Sequence, residues 1–193
     1  LAIMLAIDFS SSMNRKRETT ARLAAILTYL ASENDDRIGC LGFSDRVEFY
    51  IPPTRSPSQA DRILHLLLTQ YKEAKKTSLS NALNFLRTIL KKHTILFLIS
   101  DFLDQRYEQA LGALAIKHEV VGIDIHDPIE SALPTMAVYD AYDPETGKRL
   151  LIDGYDRGAR REYEAFYKQQ RQNVTRAFAR AKAELLLVLA NPG

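Results

Sequence analysis

The 193-residue chain contains one cysteine, Cys40, so no internal disulfide can staple it. A single cysteine is weakly in favour of a reducing compartment. Stability must then come from a packed core, and 46% hydrophobic residues are enough to build one. No apolar run approaches the roughly 18 residues of a membrane span, so no membrane segment is expected in this chain. Charge is nearly balanced at +2, too small an excess to point to nucleic acid. Neither G-x-x-x-x-G-K-[ST] nor G-x-G-x-x-G occurs, which argues against nucleotide binding. G-x-S-x-G is also absent, and no histidine is placed to serve a serine nucleophile. The chain starts inside an apolar run, with no initiator Met and no signal-peptide pattern. The expectation is one domain over residues 1–193, cut from a longer protein. A cytoplasmic location is expected, although the full-length protein could be membrane-anchored.

What is present is a regular alternation. Short apolar runs at Ala2–Ile7, Ile38–Phe43, Ile95–Ile99, Val120–Ile125 and Leu185–Leu189 do not alternate with polar residues. They read as parallel strands covered on both faces. Val47–Ile51 follows the turn "SDR" and should pair antiparallel at an edge. Helical spacing fills the gaps. Arg17–Ser32 places Leu23, Ile26, Leu27 and Leu30 on one face, and Ser58–Thr69 does so with Ile63, Leu66 and Leu67. Ser78–Lys92 carries Leu79, Leu83, Leu86 and Leu90. Gln105–Lys117 carries Ala110, Leu111 and Leu114. Asp156–Ala183 carries Tyr163, Phe166, Tyr167, Val174, Phe178 and Ala181. Near 137–152, "MAVYDAYDPETGKRLLID" reads as a small β-hairpin insertion about the turn "DPETGK". The predicted class is α/β: a Rossmann-like, doubly wound, mostly parallel sheet with one antiparallel edge strand and helices on both faces.

Strand direction predicts where polar residues meet. If the first strand runs up, the parity of the following elements brings "DFSSS", "KKTSLSNAL" and "ISDF" to one upper edge. Ligands in such sheets bind beyond the carboxyl ends of the strands. The convergent side chains are Asp8, Ser10, Ser12, Thr77 and Asp101. All bind through oxygen, which disfavours zinc and other soft-ligand metals. Two carboxylates with three hydroxyls suit an octahedral hard cation, Mg²⁺ first and Mn²⁺ next, with Ca²⁺ less suited.

These residues resemble the metal-ion-dependent adhesion site (MIDAS) of the von Willebrand factor A (VWA) domain family. Asp8, Ser10 and Ser12 match its Asp-x-Ser-x-Ser motif, and Thr77 and Asp101 match its separate threonine and aspartate. "DRIGCLGFSDRVEFYIPP", "LISDFLD" and "DPETGKRLLID" before a long basic helix resemble the bacterial DUF58 branch. Two positions depart from the family pattern. Ser11 stands where Gly is common, and Thr77 lies between Lys76 and Ser78 rather than between Gly and Asp. The resemblance implies a non-enzymatic, divalent-metal-dependent protein-interaction module. A partner Glu or Asp would complete the metal shell. By family association, the partner implied is a MoxR-type AAA+ ATPase. Weakly charged oxygen sites of this kind have dissociation constants on the order of 10⁻⁴–10⁻³ M for the metal alone.

Blander and competing readings exist. An acid followed by serines is often only a helix cap. A Mg²⁺-dependent phosphohydrolase of the haloacid dehalogenase type would need an acid at position 10, where this chain has Ser10. A receiver domain would need an additional acidic pair and a late lysine. A structural VWA domain with a vacant site is a further alternative. Among the histidines, His118 is expected to cap a helix end as a cation. His126 and Asp127 are candidates for the rim of the upper edge. Lys72, Lys75 and Lys76 beside Thr77 would favour an acidic partner. Arg171, Arg176, Arg180 and Lys182 read as a solvated helix face.

Overall fold

The computed structural model describes residues 1–69, 76–131, 138–142, 149–153 and 155–190. The elements follow the predicted alternation. Strand β1 (Ala2–Asp8) leads through a 3-10 turn (Ser11–Lys16) into α1 (Arg17–Glu33). Next come β2 (Arg37–Phe43), β3 (Val47–Thr54), α2 (Pro57–Thr69) and α3 (Leu79–Ile89). Then follow β4 (Ile95–Ser100), α4 (Glu108–Ala115), β5 (Glu119–His126) and a second 3-10 turn (Pro128–Ser131). The hairpin β6 (Val138–Tyr142) and β7 (Arg149–Asp153) precedes α5 (Arg157–Ala181) and β8 (Glu184–Leu189).

Six strands form one sheet in the order β3-β2-β1-β4-β5-β8. All pairings are parallel except β2 with β3. The order reverses between β1 and β4, so the chain's central crevice opens above those two strands. The β6–β7 hairpin is a separate antiparallel pair, and its expected turn at 143–148 lies outside the described residues.

Strand alternation sorts the core into two layers. Met4 and Ala6 face one way, with Leu79, Leu83 and Leu86 of α3, Leu111 and Leu114 of α4, and Val174 and Phe178 of α5. Leu5 and Ile7 face the other, with Ala24 and Ala31 of α1 and Ile63 and Leu67 of α2. Each fully buried leucine of this kind contributes about 1.5–3 kcal/mol.

Three expectations about faces need correction. On α1 the buried stripe is Thr20, Ala24, Thr28 and Ala31, while Ile26 and Leu30 are 55% and 50% exposed. The reason lies one turn earlier. Lys16 is buried at the head of the same stripe, and Thr20 Oγ1 donates to its carbonyl at 3.0 Å. That anchor sets the rotation of α1, and small residues let it sit close to the sheet. On α5, Phe166 is exposed, and the core contacts come from Val174, Ala177 and Phe178. Finally, β8 is not covered on both faces. It is an edge strand, with Leu186, Leu187 and Leu189 each at least half exposed.

Candidate metal and partner site

The crevice is built from the strand ends upward. In register, Ile7 pairs with Ile99, which sets Asp8 beside Ser100. Ser100 Oγ donates to Asp8 Oδ2 at 2.7 Å, and the Ser10 amide donates to Asp8 Oδ1 at 2.8 Å. Both oxygens of this buried carboxylate are therefore oriented. Ser100 also accepts from the Phe102 amide at 3.1 Å. Phe102 takes a left-handed conformation, φ 53°, which turns the chain sharply once Asp101 has been delivered. Its ring is buried edge-on against Phe178, which holds that turn in place.

The serines behave differently from a plain cap. Ser10 occupies the cap position of the 3-10 turn, but its side chain makes no capping bond there. Its hydroxyl lies 3.1 Å from that of Ser12. Ser10 is buried, Ser12 is half-buried and Ser11 is exposed. Alternation along the chain thus turns Ser10 and Ser12 inward and leaves Ser11 outside. At α3, by contrast, Ser78 is a true cap and accepts from the Asn81 amide at 3.3 Å.

Asp8 and Asp101 are both buried acids at this edge. Burial, with the negative charge of Asp101, pushes the Asp8 carboxyl up to about 7 despite the bonds from Ser100 and Ser10. A buried carboxyl whose charged form is disfavoured by its surroundings gains from a nearby cation. Thr77 is half-buried on the same edge. Its neighbour Ser78 donates its amide to the Ser44 carbonyl at 2.8 Å, just beyond β2. The next amide, of Leu79, donates to Asp104 Oδ2 at 2.6 Å, beyond β4. The Thr77 segment is therefore pinned on both sides of β1, across the crevice. The donor chemistry of these five residues fits a hard divalent cation. Among the described residues, no group of three or more His, Cys, Asp or Glu is arranged to hold a metal. Any ion here would depend on hydroxyl ligands.

Several residues of the site carried no clear signal in the sequence. Lys16 Nζ donates to Asp101 Oδ2 and contacts Glu130 Oε2, both at 2.8 Å. Burial works against its charge, but Asp101 and Glu130 outweigh that and hold the ammonium protonated. Arg171 donates to the Asp101 carbonyl and to Asp124, each at 2.6 Å. It does not belong to a solvated face, since buried acid and carbonyl partners draw it inward. Burial raises Asp124 to about 6 even with Arg171 beside it. An acid inside the apolar run "VVGIDI" was the one available hint, because a buried carboxylate requires a partner.

The rim candidates have structural partners. His126 Nδ1 is hydrogen-bonded to the Tyr167 hydroxyl. Asp127 accepts from Arg15 Nε at 2.9 Å and from the Ile129 amide at 3.0 Å. His118 is buried, and burial lowers its basicity, so it is not the cationic cap expected of it. Of the lysines beside Thr77, Lys76 is exposed, while Lys72 and Lys75 lie outside the described residues.

Residues 1–173 match the family described as "Protein of unknown function DUF58". The chain belongs to the DUF58 family. This DUF58 domain is 27% identical over 144 residues to an uncharacterized Mycobacterium tuberculosis protein, a match covering 73% of the chain and 45% of that relative. The chain thus spans about half the length of the curated relatives it matches. Solved structures share the fold. The conserved hypothetical protein BatB from Bacteroides thetaiotaomicron aligns with TM-score 0.62 and 18% identity, over 98% of this chain and 90% of that one. The SpRpn10 VWA domain aligns with TM-score 0.56 and 12% identity, over 100% and 91%. A mussel byssus protein, proximal thread matrix protein 1, described with a zinc-occupied MIDAS motif, aligns with TM-score 0.51 and 17% identity, over 64% and 37%. The fold of the DUF58 domain is therefore VWA-like, and the crevice sits where that fold reverses its strand order. No helix among the described residues is long and apolar enough to cross a membrane.

Proposed function

We propose that this DUF58 domain is a protein-interaction module that holds a divalent cation through Asp8, Ser10, Ser12, Thr77 and Asp101. Mg²⁺ is the preferred ion and Mn²⁺ the alternative. The partner supplies a Glu or Asp to the same ion. A MoxR-type AAA+ ATPase is the partner class implied by family resemblance. The observation that carries this reading is the pairing of the Ser10 and Ser12 hydroxyls, 3.1 Å apart, beside a buried Asp8 whose two oxygens are oriented by the Ser10 amide and the Ser100 hydroxyl. An ordinary helix cap would direct the first hydroxyl to a backbone amide, and here it makes no such bond.

The donor set favours binding over catalysis. The described donors include two acids and three hydroxyls, with no acid at position 10 where a phosphoryl-transferring site would need its general acid. They leave the cation able to take an outside carboxylate. Metal and partner acid would then strengthen each other's binding by the same factor.

The test is a pull-down with wild type, Ser12→Ala and Asp101→Ala in Mg²⁺ and in EDTA, with Mg²⁺ titration of the same proteins by calorimetry. Capture of a partner by wild type in Mg²⁺ alone is the expected result. Metal-independent capture that survives Ser12→Ala would sink the reading. So would phosphatase activity in wild type that Asp8→Asn abolishes.

A further inference from the structure

Lys16 is the fully buried charge of the described residues, with its side chain 0% exposed. Its ammonium is shared between two carboxylates from separate segments. One is Asp101, a proposed metal ligand. The other is Glu130, on the 3-10 turn after β5. We propose that Lys16 is a built-in counter-cation that competes with the divalent ion for Asp101, with Glu130 as the second acid that keeps the lysine paired when the ion enters. This inference rests on the metal reading above and concerns how that site is regulated.

The geometry supports it on three counts. Lys16 already occupies one oxygen of Asp101, and the other oxygen accepts from the Leu103 amide at 3.3 Å. An incoming ion must therefore share this carboxylate with a positive charge. Second, stranding a buried ammonium would be costly. Glu130 removes that cost, since it contacts the same nitrogen at 2.8 Å. Its own position is held, because the Tyr163 hydroxyl donates to its backbone carbonyl at 2.9 Å. Third, lysine suits the role. Its flexible stem and rotatable donors permit a shift between two acids, whereas a guanidinium fork would be locked to one geometry. While Lys16 sits on Asp101, an ion must displace it toward Glu130, so the site takes metal less readily alone. A partner carboxylate adds negative charge at the ion and offsets that cost. Metal uptake is then favoured by the partner.

The probe is Mn²⁺, titrated by calorimetry at low salt into folded wild type, Lys16→Met, Glu130→Gln, the double variant and Asp8→Asn. Removing a like charge at contact range should tighten Mn²⁺ binding by Lys16→Met about tenfold or more. Glu130→Gln should weaken it several-fold, and should lose most of that effect when Lys16 is already Met. A merely structural lysine would not produce opposite signs with this coupling. Binding by Lys16→Met within twofold of wild type, with binding lost in Asp8→Asn, overturns this inference and leaves the metal reading standing. Mn²⁺ uptake by none of the folded variants overturns both. If Lys16→Met does not fold, Glu130→Gln decides, and unchanged or tighter binding overturns the proposal.

Discussion

Arg171, on α5, donates to the backbone carbonyl of Asp101 at 2.6 Å and with its other terminal nitrogen grips Asp124. The long C-terminal helix is thereby tied to the main chain that presents a candidate metal ligand. The same guanidinium lies over the Tyr167 ring, 5.6 Å from its centroid, which limits its freedom further. Any displacement of Asp101 would be felt by α5, and the reverse.

The Arg171–Asp124 pair should behave as a buried ion pair. Arg171→Met leaves Asp124 as an unpartnered carboxylate, 5% exposed, and should destabilise the domain by roughly 3 kcal/mol in urea unfolding. Adding Asp124→Asn removes the orphaned charge and should recover more than half of that loss. A double variant as unstable as the single would show that the loss comes from the Asp101 carbonyl contact or from packing.

Asp8 makes a pH prediction with a definite sign. Its folded value of about 7 lies above the ordinary 3.8, so the folded state holds a proton that the unfolded state has released between those values. In EDTA, the contribution of Asp8 to stability should therefore be full below about pH 4 and fall as pH rises toward 7, by up to ~1.4 kcal/mol per unit. Asp8→Asn should flatten that slope and be the more stable protein at pH 7.5. An unchanged slope in the variant would contradict the assignment.

Neighbouring residues at the start of α3 should separate cleanly. Thr77→Ala should weaken Mn²⁺ binding while leaving stability within about 0.5 kcal/mol. Ser78→Ala removes a capping bond to the Asn81 amide and should cost ~1 kcal/mol without changing metal affinity. Calorimetry and chemical unfolding on the two variants test the pair together.

Two glycines should respond to alanine with opposite signs. A Cβ on Gly122 would stand 2.4 Å from the buried Phe178 ring, so Gly122→Ala should destabilise by about 1–3 kcal/mol. A Cβ on Gly112, inside α4, would meet nothing within 4 Å. Gly112→Ala should stabilise the domain by roughly 0.5–1 kcal/mol through helix propensity. Thermal melts of both variants provide the comparison.

The alternation of apolar runs and helical stretches was readable in the sequence because each element repeats a local rule. Leu79, Leu83, Leu86 and Leu90 illustrate this: their spacing predicts one face of α3, and all four are buried. Asp8, Ser10, Ser12, Thr77 and Asp101 are expected at one edge for a related reason, since strand direction alternates predictably through crossovers. The rotation of α1 was not readable. Its most apolar stripe is partly exposed, because the buried Lys16 and the small residues below it set the phase of the helix.

Residue order alone sets the succession of elements and the α/β class. Period and parity are properties of neighbouring residues, and they need no knowledge of distant ones. What becomes of the charges depends on contacts between distant segments. "NRKRETT" offers Arg15, Lys16 and Arg17 as equivalent basic residues. The fold seals Lys16 between Asp101 and Glu130, segments 85 and 114 positions away, and leaves the Arg15 side chain 63% exposed while it pairs with Asp127. Arg171 and Asp124 are likewise brought together from 47 positions apart. A charge is buried or solvated according to the partner that reaches it, and that partner is chosen by the packing of the whole chain.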